Sequence, residues 1–514
     1  MPVPDPYPVP KPLPQRANAL EKVHVPHSTL RHSLTCSFSR QVTIGSLSDE
    51  VLLNIFRYYL DASPQFWPRL VHICRKWRHI VFASQQALHL RLFCTHGTPV
   101  LKYLDSWPAL PIVVHFGGAP ALNSPGVEDE DNIMVALKYS DRVSSIDLAI
   151  TSSLLEKLSA IEKPFPELED LVLLSQGSMQ MTFPSAFRWG LRLRTLHLTR
   201  VAIPALPELL SSSTGLVDLQ LHKIPHLGYF SPEAFADALS GMTQLRILSL
   251  CFHSLARRES RMALAPSPQS RERAVLPALT FLKYRGTSKY LDSFVARIDA
   301  PRLRGIYITF FSQPMMAVSQ LGRFINRIDM RNSHCRAEII SSERAISISF
   351  TPPEAPTRLE VQVSCKSLTQ RLSYMALICN SLLAFLLGVE HLRINATQPS
   401  NGNDNSDRKQ WVELIHPFRG AKWVHIAGNH STSIVLALPL PHSEMRHKTV
   451  LPALQKLCIG ELEARCAPLR EAVVSFMQSC RLSGHIIKVE YERLWTNELH
   501  GTGTAFVQYQ FITY

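Results

Sequence analysis

Glycine is scarce in this sequence, 21 residues in 514, and no GxGxxG, P-loop, HExxH or GxSxG motif occurs. A phosphate-cradling loop, a zinc-protease helix and a nucleophile elbow are therefore not expected, and no catalytic residue, cofactor or metal is assigned. None of the ten cysteines falls in a CxxC pair. That argues against a zinc site or disulfide framework and for reduced thiols inside a cell. The net charge is +13, yet Lys and Arg never form a run of five. A solvated basic surface is expected rather than a nucleic-acid interface. The first residues, Met1-Pro-Val-Pro-Asp-Pro, lack the apolar stretch of a secretory signal. The longest apolar run, Leu372 to Val389, is interrupted by Ser373, Tyr374, Asn380 and Ser381. It reads as a buried helix, and no membrane partner is expected.

What is present is apolar material in quantity, 46% of residues, together with 36 prolines. This suits a sizeable core built from many short elements. From about residue 143 a template recurs: apolar, two variable, apolar, one variable, apolar. Its clear copies are Val143/Ile146/Leu148, Leu168/Leu171/Leu173, Leu193/Leu196/Leu198, Leu216/Leu219/Leu221, Leu245/Leu248/Leu250, Leu279/Leu282/Tyr284 and Leu303/Ile306/Ile308. Weaker copies follow at Val389/Leu392/Ile394, Ala421/Val424/Ile426 and Leu454/Leu457/Ile459. The middle positions of the clear copies lie 25, 25, 23, 29, 34 and 24 residues apart, which is roughly a leucine-rich-repeat period stretched by insertions. The last two apolar positions alternate and so share one face of a short strand. A helix returns the chain to the next strand. Ser231 to Gly241 predicts one, with Ser at the N-cap, Pro232 and Glu233 in the first turn and Gly at the end. Such units cannot bury their faces alone and stack into a solenoid with a parallel sheet.

These motifs resemble irregular leucine-rich repeats of the looser, ribonuclease-inhibitor-like type. A steady Asn or Cys is missing at the ladder position, where Ser175, Arg200 and Lys223 stand. Residues 309–388 fit the template poorly, and 345–350 and 358–364 alternate strictly, predicting strands outside the simple pattern. Residues 1–40 read as a disordered arm, 256–274 as an exposed basic loop, and 397–410 as a second flexible loop. His425 and His430 flank a predicted turn and are expected on the surface.

The stretch 47–81 predicts two short helices. In the first, Ser48 is the N-cap and Asp49 and Glu50 suit the positive helix end. Val51, Leu52, Ile55, Phe56 and Tyr59 form one stripe, while Leu53 and Leu60 extend apolar character to another side. In the second, Leu70, Ile73, Cys74, Trp77, Ile80 and Val81 recur at helical spacing. So small a unit cannot bury this much apolar surface by itself, so part of it is expected to meet a partner.

Leu47-Ser-Asp-Glu-Val-Leu-Leu-Asn-Ile-Phe56 followed by Val71-His-Ile-Cys-Arg-Lys-Trp-Arg78 resembles an F-box, although Ser48 stands where that family usually has Pro. The likeness extends through Leu90-Arg-Leu92 and Trp107-Pro-Ala-Leu-Pro-Ile112, a stretch similar to the large fungal group of F-box proteins. The resemblance implies a substrate-recognition subunit of an SCF-type cullin–RING ubiquitin ligase, cytoplasmic or nuclear and without an active site. Its F-box would dock on the adaptor subunit, and its repeats would hold a target protein of unknown identity. Carried over, the adaptor-facing positions are Leu47, Ser48, Val51, Leu52, Ile55 and Phe56, and the F-box core is Val71, Cys74, Trp77 and Ile80. The expected organisation is an arm at 1–40, an F-box at 41–92 and a repeat domain at 93–514. The fold class is α/β: a small helical F-box bundle, then an irregular leucine-rich-repeat solenoid with a parallel sheet. The competing reading is a non-ligase repeat scaffold whose helices serve only as an F-box-like cap.

Overall fold

The computed structural model describes residues 44–96, 100–116, 127–161, 163–175, 181–182, 191–203, 206–253, 273–311, 318–328, 335–351, 358–397, 404–439, 450–460, 467–482, 486–495 and 506–511. The arm expected at 1–40 and most of the basic loop at 256–274 lie outside these. The chain divides into two compact units, Met1–Ala62 with Arg69–Leu88, and Ser63–Pro68 with His89–Tyr514.

The larger unit is mixed α/β, with a sheet of seventeen strands among the described residues. In chain order these are β1 Leu92–Cys94, β2 Ile112–Phe116, β3 Val143–Ile150, β4 Asp170–Ser175, β5 Thr195–Thr199, β6 Asp218–Ile224, β7 Ile247–Phe252, β8 Phe281–Gly286, β9 Gly305–Phe310, β10 Cys335–Ser341, β11 Ala345–Thr351, β12 Arg358–Ser364, β13 Val389–Ala396, β14 Trp423–Ala427, β15 Lys456–Ile459, β16 Lys488–Trp495 and β17 Phe506–Phe511. Strands β1 to β9 pair in sequence, every pair parallel.

Every template copy forms a strand, and the register aligns the copies. Leu171, Leu196, Leu219, Leu248, Leu282 and Ile306 are successive partners, as are Leu173, Leu198, Leu221, Leu250, Tyr284 and Ile308. All twelve are at most 2% exposed. At about 25 cal/mol per Å², burial of each such side chain contributes roughly 1.5–3 kcal/mol.

Residues 335–364 break the direction of the repeat but not the sheet. β12 pairs with β9 in parallel, β11 lies antiparallel between β12 and β10, and β10 pairs with β13 in parallel. Leu359, Phe350 and Ala337 carry one apolar row from Ile306 to Leu392; Val361, Ile348 and Ile339 carry the other from Ile308 to Ile394. The strands predicted at 345–350 and 358–364 are thus part of the main sheet. Parallel pairing resumes from β13 through β16, and an antiparallel β17 ends the order.

Helices connect most of the parallel strands and pack one on the next. The predicted helix runs Pro232–Leu239, with the Ser231 hydroxyl accepting from the Ala234 amide at 3.0 Å. The apolar run beginning at Leu372 forms helices Leu368–Ser381 and Leu383–Leu386, then enters β13. Among the described residues no helix is long and apolar enough to cross a membrane. The flexible loop expected to reach residue 410 ends earlier, because Asp404–Ile415 is helical and buries Trp411, Leu414 and Ile415.

Polar side chains tie neighbouring helices together. Asp292 accepts from the Gln320 and Leu321 amides at 2.8 and 3.0 Å, capping helix Ser319–Arg327 from helix Ser288–Val295. Glu130 accepts from the Thr151 and Ser153 hydroxyls, each at 2.8 Å, and meets Lys157 at 3.1 Å. Burial alone would raise the Glu130 pKa, but these hydrogen bonds and the Lys157 charge outweigh it and lower it. Arg371, with no exposed surface, donates to the carbonyls of Glu343, Cys365 and Lys366 at 2.7, 2.6 and 3.1 Å.

Two outcomes follow. Arg371→Met is expected to lower unfolding free energy by about 1–3 kcal/mol, since it removes the donor from the buried Cys365 carbonyl and from two part-buried ones; a denaturant midpoint near wild type would contradict this. The lowered pKa of Glu130 means that its contribution is present above the unfolded-state value of about 4.3 and fades as pH falls through the folded-state value. The acid side of a melting-temperature profile should therefore be flatter in Glu130→Gln than in wild type.

Candidate functional site

The smaller unit is built around helices Asp49–Ala62 and Arg75–Ala83. Ser48 caps the first, its hydroxyl accepting from the Val51 amide at 3.4 Å. Leu52, Phe56 and Leu60 point inward at i, i+4 and i+8. They share the interior with Val71, Trp77, Ile80 and Val81. Phe56 and Trp77 pack with ring centroids 4.7 Å apart, tilted by 59°, the kind of aromatic contact that adds to area burial. Lys76 joins the starts of the two helices, donating to the Leu47 carbonyl at 2.8 Å and meeting Asp49 at 3.3 Å.

This arrangement sorts the expected contact residues into two sets. Ser48, Val51 and Ile55 are on the surface and Leu47 is half-buried, whereas Leu52 and Phe56 are fully buried. Leu52 and Phe56 lie about 100° and 140° around the helix from Val51, at 100° per residue, and that side is taken by the bundle interior. Of the expected core residues Val71, Trp77 and Ile80 are buried, but Cys74 is exposed. Cys74 precedes its helix rather than lying within it, and its sulfur accepts from the Trp77 amide at 3.5 Å as the N-cap.

Sequence reasoning also missed Tyr58, which is 84% exposed. The signal was available: Val51, Ile55 and Tyr58 follow i, i+4, i+7 and form one outward stripe. Ile44 and Ile73 are likewise exposed in this unit. The first helix is therefore apolar on two faces, one packed and one open to solvent.

In the larger unit the second surface is the sheet face opposite the buried leucine rows. Its central row runs His115, Asp147, Val172, His197, Gln220, Ser249, Lys283, Tyr307 and Glu360. His115 pairs with Asp147 at 3.0 Å, His197 with Asp218 at 3.1 Å, and Arg358 with Glu360 at 2.8 Å. Burial raises the Asp147 pKa against the opposing pull of His115 and His197. Further along, Trp423 is 46% exposed, with the Lys456 ammonium 4.9 Å from its ring centroid. His425 is half-buried on this face, but His430, expected on the surface, is 1% exposed at the start of helix Ser431–Ala437.

Among the described residues no group of three or more His, Cys, Asp or Glu is placed to hold a metal ion. Burial pushes the Cys94 and Cys379 thiols up to about 12 and Cys480 to about 11, with Asp129 adding to the shift at Cys94; such thiols are poor nucleophiles near neutral pH. Ser267-Pro268, a Ser-Pro phosphate-acceptor pair by sequence, lies in the basic loop outside the described residues. Compared with known protein-family models and with curated proteins, the chain matches none.

The two roles assigned within the bundle are separable by mutation. Trp77→Ala should cost about 3–5 kcal/mol as a core truncation. Cys74→Ser should be nearly neutral, because serine serves as an N-cap and no core volume is lost. Denaturant midpoints of the two variants check this, and a Cys74→Ser loss as large as that of Trp77→Ala would return Cys74 to the core.

Proposed function

We propose that this chain is the substrate-recognition subunit of an SCF-type cullin–RING ubiquitin ligase. The observation that carries the reading is the outward stripe Val51, Ile55 and Tyr58 on a helix whose inward face is already filled by Leu52, Phe56 and Leu60. Solvent-facing Val, Ile and Tyr in one row offer a compact apolar footprint for a partner. The F-box resemblance of residues 47–56 and 71–78 makes the ligase adaptor that partner, and residues 41–92 the docking domain.

On this reading residues 93–514 are an irregular leucine-rich-repeat solenoid, and the in-register leucine rows support it. The open, polar face of the sheet is then where a target protein is held. The chain performs no chemistry. It works by proximity, raising the effective concentration of the target beside the ubiquitin-charged enzyme. Its place of work is the cytoplasm or nucleus.

The test is capture of the adaptor by the full chain. Val51→Asp/Ile55→Asp should reduce capture by about 30-fold or more, as for hot-spot residues worth ≥2 kcal/mol. The melting temperature should change little, because both positions are exposed. Wild-type chain that fails to capture the adaptor, or a double variant that captures it normally, would leave the helices as a cap on a non-ligase scaffold.

A further inference from the structure

The open face of the sheet is not evenly charged. Most of its acids have partners on the same face: Asp147 is held by His115, Asp218 by His197 and Glu360 by Arg358. Between these pairs lies a cationic stretch. Lys283 and Arg285 are exposed at alternate positions of β8. Lys223, also exposed, sits at the end of β6 with a φ of 52°, where the register with β7 shifts. A lysine in the left-handed region is an uncommon backbone state. Among the described residues no carboxylate forms an ion pair with Lys223, Lys283 or Arg285.

The floor between these cations is neutral. Ser249 and Cys251 on β7 stand between the His222 and Lys283/Arg285 columns. The Ser249 hydroxyl lies 2.8 Å from His222 Nε2 and 3.8 Å from the Cys251 sulfur. Burial first, then the charges of Lys283, His197 and Lys223, lower the His222 pKa, while Asp218 opposes them. His222 is thus disfavoured from adding a further charge to a patch already short of anions.

We infer that this patch docks an extended, carboxylate-rich peptide segment of a partner protein. The spacing argues for several separated carboxylates rather than one compact anion. Residues two apart on a strand are about 6.6 Å apart, and Lys223 lies two strands from Lys283, about 9–10 Å across the sheet. A single phosphate needs convergent donors, whereas acidic side chains at alternate positions of an extended peptide repeat at about the spacing of Lys283 and Arg285. This inference rests on the reading that the sheet face holds a target and adds the chemistry of what is held; it is independent of adaptor docking.

The test is fluorescence anisotropy on the full chain with a labelled twelve-residue peptide of alternating Glu and Ala as probe. Its Gln–Ala counterpart, a neutral peptide carrying one phosphoserine, and a single-stranded oligonucleotide serve as comparison arms. Lys283→Glu/Arg285→Glu should weaken the Glu–Ala probe by about tenfold or more at low salt, since two attractions become two repulsions. Lys138→Glu/Lys289→Glu, which changes net charge equally at exposed sites off this face, should weaken it much less. Adaptor capture should be the same in both variants, so a failure of the ligase reading leaves this result standing. Equal loss in the two variants, or equal binding of the Gln–Ala peptide, would overturn the inference. Tighter binding of the phosphoserine peptide or the oligonucleotide through Lys283 and Arg285 would overturn it as well.

Discussion

The larger unit depends on one constraint: parallel pairing in fixed register places the apolar positions of each strand beside those of the next. Leu171, Leu196, Leu219, Leu248, Leu282 and Ile306 form one such row, buried along its whole length. Because side chains alternate across a strand, a slip of one residue would exchange the leucine row for His197, Gln220, Ser249 and Lys283. That exchange would move polar side chains and the Lys283 charge into the core and turn the leucines of the row outward. The register is therefore fixed by many small, identical penalties rather than by one strong contact.

The same constraint explains how the sheet tolerates the irregular segment. β10, β11 and β12 run against the repeat in order and partly in direction, yet Leu359, Phe350 and Ala337 keep the apolar row continuous. Continuity needs only a side chain of the right character at each register position. It does not need a constant connection. Arg371 then ties the ends of this segment together, donating to the buried Cys365 carbonyl and to the part-buried carbonyls of Glu343 and Lys366.

What was legible in the sequence follows from which features have a local signature. The template positions are periodic, and the strands fall on them. The helix after Ser231 carries its own start signal and forms where expected. The strands at 345–351 and 358–364 could be seen by alternation, but their antiparallel placement within the main sheet could not, since pairing partners leave no local mark. The helix Asp404–Ile415 was hidden because Asn, Asp and Ser also favour turns. Cys74 was misplaced because helical spacing does not reveal that the helix starts one residue later. His430 illustrates the same limit, since a polar residue beside a turn is buried here by tertiary packing that no local pattern encodes.

The first helix poses a final question of energetics: why Val51, Ile55 and Tyr58 face water. They add nothing to the interior, which Leu52, Phe56 and Leu60 already fill. Val, Ile and Tyr are also weaker helix formers than Glu, Lys or Gln, by up to about 0.5 kcal/mol each. A helix selected only to cap a sheet would do better with charged residues at all three places. The apolar stripe therefore runs against the stability of the free chain, and a bound partner that covers it would recover that cost. The exposed face of this helix, rather than the buried one that gives the sequence its strongest motif residues, is the part of the small unit that demands explanation by function.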